Sequence, residues 1–291
     1  MTSIALLGAG GMLGHDIARV LEDADLTQFT RRDLDITDAL AVSDALRDFD
    51  VVVNSAAYTH VDEAESHIDD ASRANALGAE NVALACVGHG RKLIHLSTDY
   101  VFDGLAAAAY AEDHPRDPQS VYGRTKAEGE SKTVAANPNN TIIVRTAWLY
   151  GISGSNFVST MLRLAESHDT VSVVTDQVGQ PTWSADVAAM IRELIASPVR
   201  AGIFHATNSG QASWFEFAQK IFRTAGLDVA RVLPTTTKDF QRPAPRPAWS
   251  VLGHENWKRR GFEAPRPWSE AFEEAWDRDF SPNAEAKTTA E

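Results

Sequence analysis

Tyr122 and Lys126 stand four residues apart in the run Val121-Tyr-Gly-Arg-Thr-Lys126. In a helix that spacing puts both side chains on one face. An ammonium beside a phenol favours the ionised form, and a free phenol, with a pKa of about 10, is a sluggish acid or base at neutral pH. The pair therefore reads as a proton-transfer device for a carbonyl or an alcohol. Just upstream, Ser97-Thr98-Asp99 closes an apolar run. A hydroxyl there can hold the substrate oxygen that gains or loses the proton. Side chains alternate along a strand, so only one of Ser97 and Thr98 need point into a site, and Thr98 is the expected one. A tyrosine and a lysine at this spacing arise by chance on many helices. Their weight comes from Gly8-Ala-Gly-Gly11-Met12-Leu13-Gly14, which follows an apolar run and opens a helical pattern. Such glycines permit a tight turn, close approach of backbone to a pyrophosphate and close packing of helix on strand, with the phosphates at the helix N-terminus.

These groups need a scaffold that brings separate strand ends together. Short apolar runs at 3–7, 28–30, 50–54, 92–97 and 141–145 read as strands. Helical patterns lie between them at 13–22, 38–47, 64–89 (interrupted near Asp69) and 121–136. This alternation predicts an α/β protein with a Rossmann-type, doubly wound parallel sheet, its ligands at the carboxyl ends of the strands. Beyond Gly151 the rhythm loosens. Helices are expected at 156–167, 184–196, 213–225 and 268–280, strands at 171–174 and 202–206, and a proline-rich loop at 235–249. Residues 1–150 are expected to form an NADP-binding domain, with segments near 171–205 returning to it. Residues 151–280 would be mainly a smaller, interleaved α/β substrate lobe, and 281–291, which lack large apolar groups, a disordered tail.

The second strand should end near the adenosine ribose, where an acidic residue favours NAD and an arginine accommodates the 2′-phosphate of NADP. The residues there are Thr30-Arg31-Arg32-Asp33. Arg31 and Arg32 favour NADPH; a register shifted by one or two residues would turn Asp33 inward and keeps NADH open. Asp35 and Ile36 follow where adenine would lie, and Ala56 and Ala57 let a cofactor approach the end of the third strand.

The net charge of -13, with no long run of Lys and Arg, excludes a basic nucleic-acid face and disfavours anionic membranes. No basic leader precedes the first apolar run and no segment has the length of a membrane span, so a soluble, cytoplasmic protein is expected. The single cysteine, Cys86, excludes an internal disulfide and sits in an apolar run, as a core thiol would. The nine histidines show no zinc-like spacing, and no metal is assigned.

The phrases Ser97-Thr-Asp-Tyr-Val-Phe-Asp-Gly104, Val121-Tyr-Gly-Arg-Thr-Lys-Ala-Glu-Gly-Glu130, Arg145-Thr-Ala-Trp-Leu-Tyr150 and Asp176-Gln-Val-Gly-Gln-Pro-Thr182 run through the chain together with the glycine turn. In them the sequence resembles the extended short-chain dehydrogenases and, within these, the dTDP-4-dehydrorhamnose reductases. The resemblance implies a catalytic trio of Thr98, Tyr122 and Lys126. It implies hydride transfer from NADPH, or less often NADH, to C4 of a dTDP-4-keto-6-deoxy sugar, giving dTDP-L-rhamnose. It places substrate contacts at Thr59, His60, Val61, Trp148, Asn156 and the 176–182 loop with Gln180. Trp148 reads equally as a stacking platform or a core residue, and Arg163 and Arg246 are candidates for the substrate diphosphate. Some relatives are described as magnesium-linked dimers, which leaves a homodimer open; His15 stands where an acidic side chain would be expected. An epimerase or dehydratase of the same superfamily, and a regulatory subunit that binds cofactor without chemistry, are the rival readings.

Overall fold

Ser3–Leu7 (β1) is apolar on both faces, as a central parallel strand must be. Ile4 and Leu6 enter a cluster with Val53, Ile94 and Val144, while Ala5 and Leu7 enter a second one with Val52, Val82 and Leu93 on the opposite face. The computed structural model describes residues 2–87 and 90–281, so nearly all of the expected tail lies outside the described residues.

The first half of the chain runs β1, α1 (Met12–Val20), β2 (Asp25–Phe29), α2 (Ala39–Ala45), β3 (Val51–Asn54), α3 (Val61–Ala64), α4 (Ile68–Ser72), α5 (Gly78–Val87), β4 (Lys92–Thr98), α6 (Val121–Ala136) and β5 (Thr141–Thr146). A π-helical stretch, Arg73–Leu77, joins α4 to α5. The second half runs β6 (Leu149–Tyr150), α7 (Phe157–Ser167), β7 (Val171–Val174), β8 (Val178–Gly179), β9 (Thr182–Trp183), α8 (Ser184–Ala196), β10 (Gly202–His205), β11 (Ala212–Ser213), α9 (Trp214–Thr224), β12 (Val232–Thr235), α10 (Glu255–Arg259) and α11 (Trp268–Ala275).

Six strands form one parallel sheet in the order β10-β5-β4-β3-β1-β2. The chain leaves β1 on one side for β2 and on the other for β3, so the strand order reverses between them, where doubly wound sheets bind ligands. β10 pairs with β5 and completes the sheet from within the later part of the chain. Of the segments expected to return near 171–205, 202–205 therefore joins this sheet, whereas β7 pairs with β12 elsewhere. β12 was not expected from the sequence. Around β7 and β12 a separate core gathers Tyr150, Val158, Met161, Trp183, Phe217, Phe222 and Phe272. The helix interruption expected near Asp69 lies at 65–67, with Asp69 itself inside α4. Cys86 is buried, and burial pushes its thiol up to about 12. Among the described residues no helix is long and apolar enough to cross a membrane.

Candidate active site

The glycine turn joins β1 to α1. Gly8 has φ +80, and a Cβ there would lie 2.6 Å from the backbone nitrogen of Ala56. A Cβ on Gly14 would stand 2.8 Å from the Ala9 Cα and still closer to the Gly8 carbonyl. The turn and the end of β3 thus touch through backbone alone, and α1 opens beside them with no side-chain cap on its first N–H groups. In front of this turn lies a cavity of about 900 Å³, lined from Gly8–Gly14 through Arg31, Arg32 and Asp35 to Tyr122 and Lys126. Its volume and shape suit a dinucleotide, whose pyrophosphate would take the free helix terminus.

At one end, the carboxyl ends of β4 and β5 meet α6. Ser120 caps α6 by accepting from the Gly123 N–H. Thr98 ends β4, and its hydroxyl donates to Asp99 Oδ1 at 2.8 Å while accepting from the Tyr100 N–H. Ser97 donates to buried Glu130 at 2.6 Å. Thr98 lies beside the phenol of Tyr122, whereas Ser97 borders the cavity. Burial pushes that phenol up to about 12, against the lowering effect of a hydrogen bond with Thr98. Burial also brings Lys126 down to about 8, while Glu130 opposes the fall; its Nζ donates to the Leu96 carbonyl at 2.6 Å. The expected depression of the Tyr122 pKa by Lys126 is therefore not found in the chain alone. Desolvation of the hydroxyl dominates, opposed only by the bond with Thr98, and the phenol is held as an acid.

A sequence model of the RmlD substrate binding domain matches residues 1–280. The chain belongs to this family, that of the dTDP-4-dehydrorhamnose reductases. The dTDP-4-dehydrorhamnose reductase of Streptomyces griseus is 47% identical over 277 residues, covering 92% of this chain and 91% of the relative. A probable dTDP-4,6-dihydroxy-2-methyloxan-3-one 4-ketoreductase of Streptomyces antibioticus is 46% identical over 281 residues, covering 93% of each. The crystal structure of the Bacillus anthracis str. Ames dTDP-4-dehydrorhamnose reductase in complex with NADP superposes with a TM-score of 0.92 at 40% identity, over 95% of this chain and 99% of that one. The family is one of oxidoreductases, and its fold is the parallel Rossmann-like one described above.

In this member of the RmlD family, every residue expected at the cofactor lines the cavity: Gly8, Gly11, Met12, Leu13, Gly14, Arg31, Arg32, Asp35, Ile36, Ala56, Ala57, Tyr122 and Lys126. Asp33 does not; its carboxylate accepts from the Thr30 N–H and hydroxyl, and these bonds hold its pKa down. Of the expected substrate contacts only Thr59 borders this cavity. His60 is exposed and Val61 opens α3. Trp148 follows β5 with φ 48, the one non-glycine with positive φ among the described residues, and stacks on Trp214 at 3.5 Å. One of its faces is thereby covered.

Two of the residues expected at the substrate hydrogen-bond within the protein. Gln180 is buried, donating to the Leu252 carbonyl and accepting from the Leu252 N–H and the Thr207 hydroxyl, so its amide tethers the chain. Asn156 is spent as the capping box of α7, its amide donating to the Gly151 carbonyl. Arg163 is exposed on α7. Arg246 pairs with Asp62 at 2.9 Å. Sequence reasoning missed Arg73, which lines the cavity from the π-helical stretch, and Asp99, which burial raises to about 6 against its bond from Thr98. No spacing marked Arg73; Asp99 was signalled only by its place after Thr98.

Proposed function

We propose that the chain reduces the C4 keto group of dTDP-4-dehydro-L-rhamnose to dTDP-L-rhamnose, with NADPH as hydride donor and Tyr122 as proton donor. The observation that carries the reading is the meeting of Tyr122 and Lys126 at one end of a dinucleotide-sized cavity, with Thr98 beside the phenol. The names of relatives with 40–47% identity supply the reaction. The glycine cradle fits a pyrophosphate, and Arg31 and Arg32 fit a 2′-phosphate better than a bare ribose. When bound, the cofactor supplies the hydride. The chain does the rest. Tyr122, held protonated by burial, donates to the carbonyl oxygen. Thr98 holds that oxygen and stabilises the charge that develops on it. The ammonium of Lys126 offsets the phenolate left behind. In this reading residues 1–150, with α8 and β10, hold the cofactor, and much of 151–280 receives the sugar nucleotide.

The relative from S. antibioticus, named for a different 4-keto sugar at nearly the same identity, favours a second reading with the same chemistry on another dTDP-linked ketosugar. The test supplies purified protein with NADPH and a panel of dTDP- and UDP-4-keto-6-deoxy sugars, with product mass measured alongside cofactor loss. A gain of two hydrogens on the L-rhamnose precursor, matched by NADPH loss, is expected. Oxidation with another sugar only would keep the reductase and discard the substrate; cofactor binding without turnover of any sugar would favour a regulatory protein.

A further inference from the structure

Glu130 lies one turn beyond Lys126 and two beyond Tyr122, on the same face of α6. Its carboxylate accepts from Ser97 Oγ at 2.6 Å, from Arg145 Nε and Nη2 at 2.8 Å each, and from Arg116 Nη1 at 3.1 Å. The side chains of Glu130 and Arg145 are 2% and 1% exposed. Charges taken this far from water are costly, and a well-packed apolar pair would be no less stable, so a buried pair calls for a reason other than stability. The arrangement supplies one. Glu130 belongs to α6, Ser97 to β4 and Arg145 to β5, and Arg145 Nη1 lies 3.4 Å from His205 on β10. The cluster therefore sets α6, which carries Tyr122 and Lys126, against the strand that ends in Thr98.

The same carboxylate acts on Lys126. Two ionisable groups interact with that ammonium, Glu130 from α6 and His95 from β4, which burial keeps neutral, and Tyr122 stands one turn away on the same helix. Asp99 faces Tyr122. Arg145 and Arg116 stand on the far side of Glu130. Burial pushes Glu130 up, but its bonds from Arg145, Ser97 and Arg116 more than offset this and keep it ionised.

We infer that Glu130 is a positioning residue for the proton transfer, keeping the ammonium of Lys126 charged and its helix in register with Thr98. The inference rests on the role of Lys126 proposed above. Glu130→Gln preserves volume and removes the one negative charge acting on Lys126, leaving two guanidiniums behind it. Burial already holds Lys126 down to about 8, and this change lowers it further. An ammonium required for reduction is present below its pKa and lost as pH rises through it. The alkaline limb of kcat should therefore move to lower pH. Activity at a fixed pH on that limb should fall about tenfold for every pH unit the limb moves, and should recover on acidification. A merely structural defect would lower the rate alike at every pH. Arg116→Ala, at the half-exposed edge of the cluster, removes a cation instead and should move the limb to higher pH, which keeps the idea testable if Glu130→Gln does not fold. Lysine ¹³Cε NMR titration, with the Lys126 signal assigned by its loss in Lys126→Met, follows the same ionisation without turnover, so an inactive parent would sink the proposed reaction and still test this one. A Lys126 titration unmoved by Arg116→Ala, or a Glu130→Gln defect of equal size at pH 6 and pH 8, would overturn the inference.

Discussion

Tyr122→Phe removes one hydroxyl and leaves the scaffold around it intact. Thr98 keeps its bond to Asp99 at 2.8 Å and its contact from the Tyr100 N–H at 3.2 Å, so no polar group is orphaned. The fold should lose no more than one hydrogen bond, about 1 kcal/mol. The reaction should lose far more. A positioned proton donor is worth about 10²–10⁴-fold, or roughly 2.7–5.4 kcal/mol of barrier. The neighbouring Asp99, which burial raises only to about 6, is mostly without its proton at neutral pH. The assay is the loss of NADPH absorbance with the keto sugar nucleotide, paired with a fluorescence titration of NADPH binding. Turnover should fall by two to four orders of magnitude with cofactor affinity unchanged. A variant retaining more than about a third of the parent rate would refute the assignment of Tyr122 as the acid, since general acid catalysis predicts a far larger loss. A variant that also lost NADPH binding would show that the hydroxyl serves the cofactor instead.

Arg31→Ala or Arg32→Ala should raise the KM for NADPH about 10–100-fold, the worth of a charge-assisted bond, and leave NADH unaffected; equal KM values for both cofactors in the parent would count against it. Gly14→Ala should abolish NADPH binding while the far-ultraviolet circular dichroism is kept, because a Cβ there meets Ala9 at 2.8 Å and pushes α1 off the turn. Retained binding would mean that the turn has slack to give.

Much of this site was legible because its chemistry rests on local backbone patterns. A strand, a glycine turn and a helix in succession mark the residues expected at the cofactor, and period-two alternation says that Ser97 and Thr98 face opposite sides without saying which faces the site. What was not legible depends on surroundings. The spacing of Tyr122 and Lys126 announces a shared face but not the desolvation that raises the phenol. Gln180 and Asn156 look available in a sequence because their amide partners, Leu252 and Gly151, are backbone groups that carry no mark. β12 was hidden by Pro234, which a two-stranded pairing at an edge tolerates and a central strand would not. Arg73 lines the cavity from the π-helical stretch between α4 and α5, which no spacing in the sequence announces.

The place of β10 in the sheet has a consequence for how the protein is made. Everything that the proposed chemistry requires from α6 and β4 has been synthesised by Lys126, yet β5 has no neighbour on its outer side until residues 202–205 arrive. During that interval Ile142, Ile143 and Val144 form a bare apolar margin, the kind of edge that recruits strands from other molecules. Arg145 meanwhile lacks its contact with His205. Closure thus waits on a contact of high sequence separation, which slows folding and prolongs exposure to aggregation. A fragment cut near residue 150 would keep every motif of a dinucleotide enzyme and still be expected to precipitate. Adding the chain through residue 205 should close that sheet edge yet leave Tyr150, Val158, Met161 and Trp183 without Phe217, Phe222 and Phe272, so solubility should await the rest of the chain.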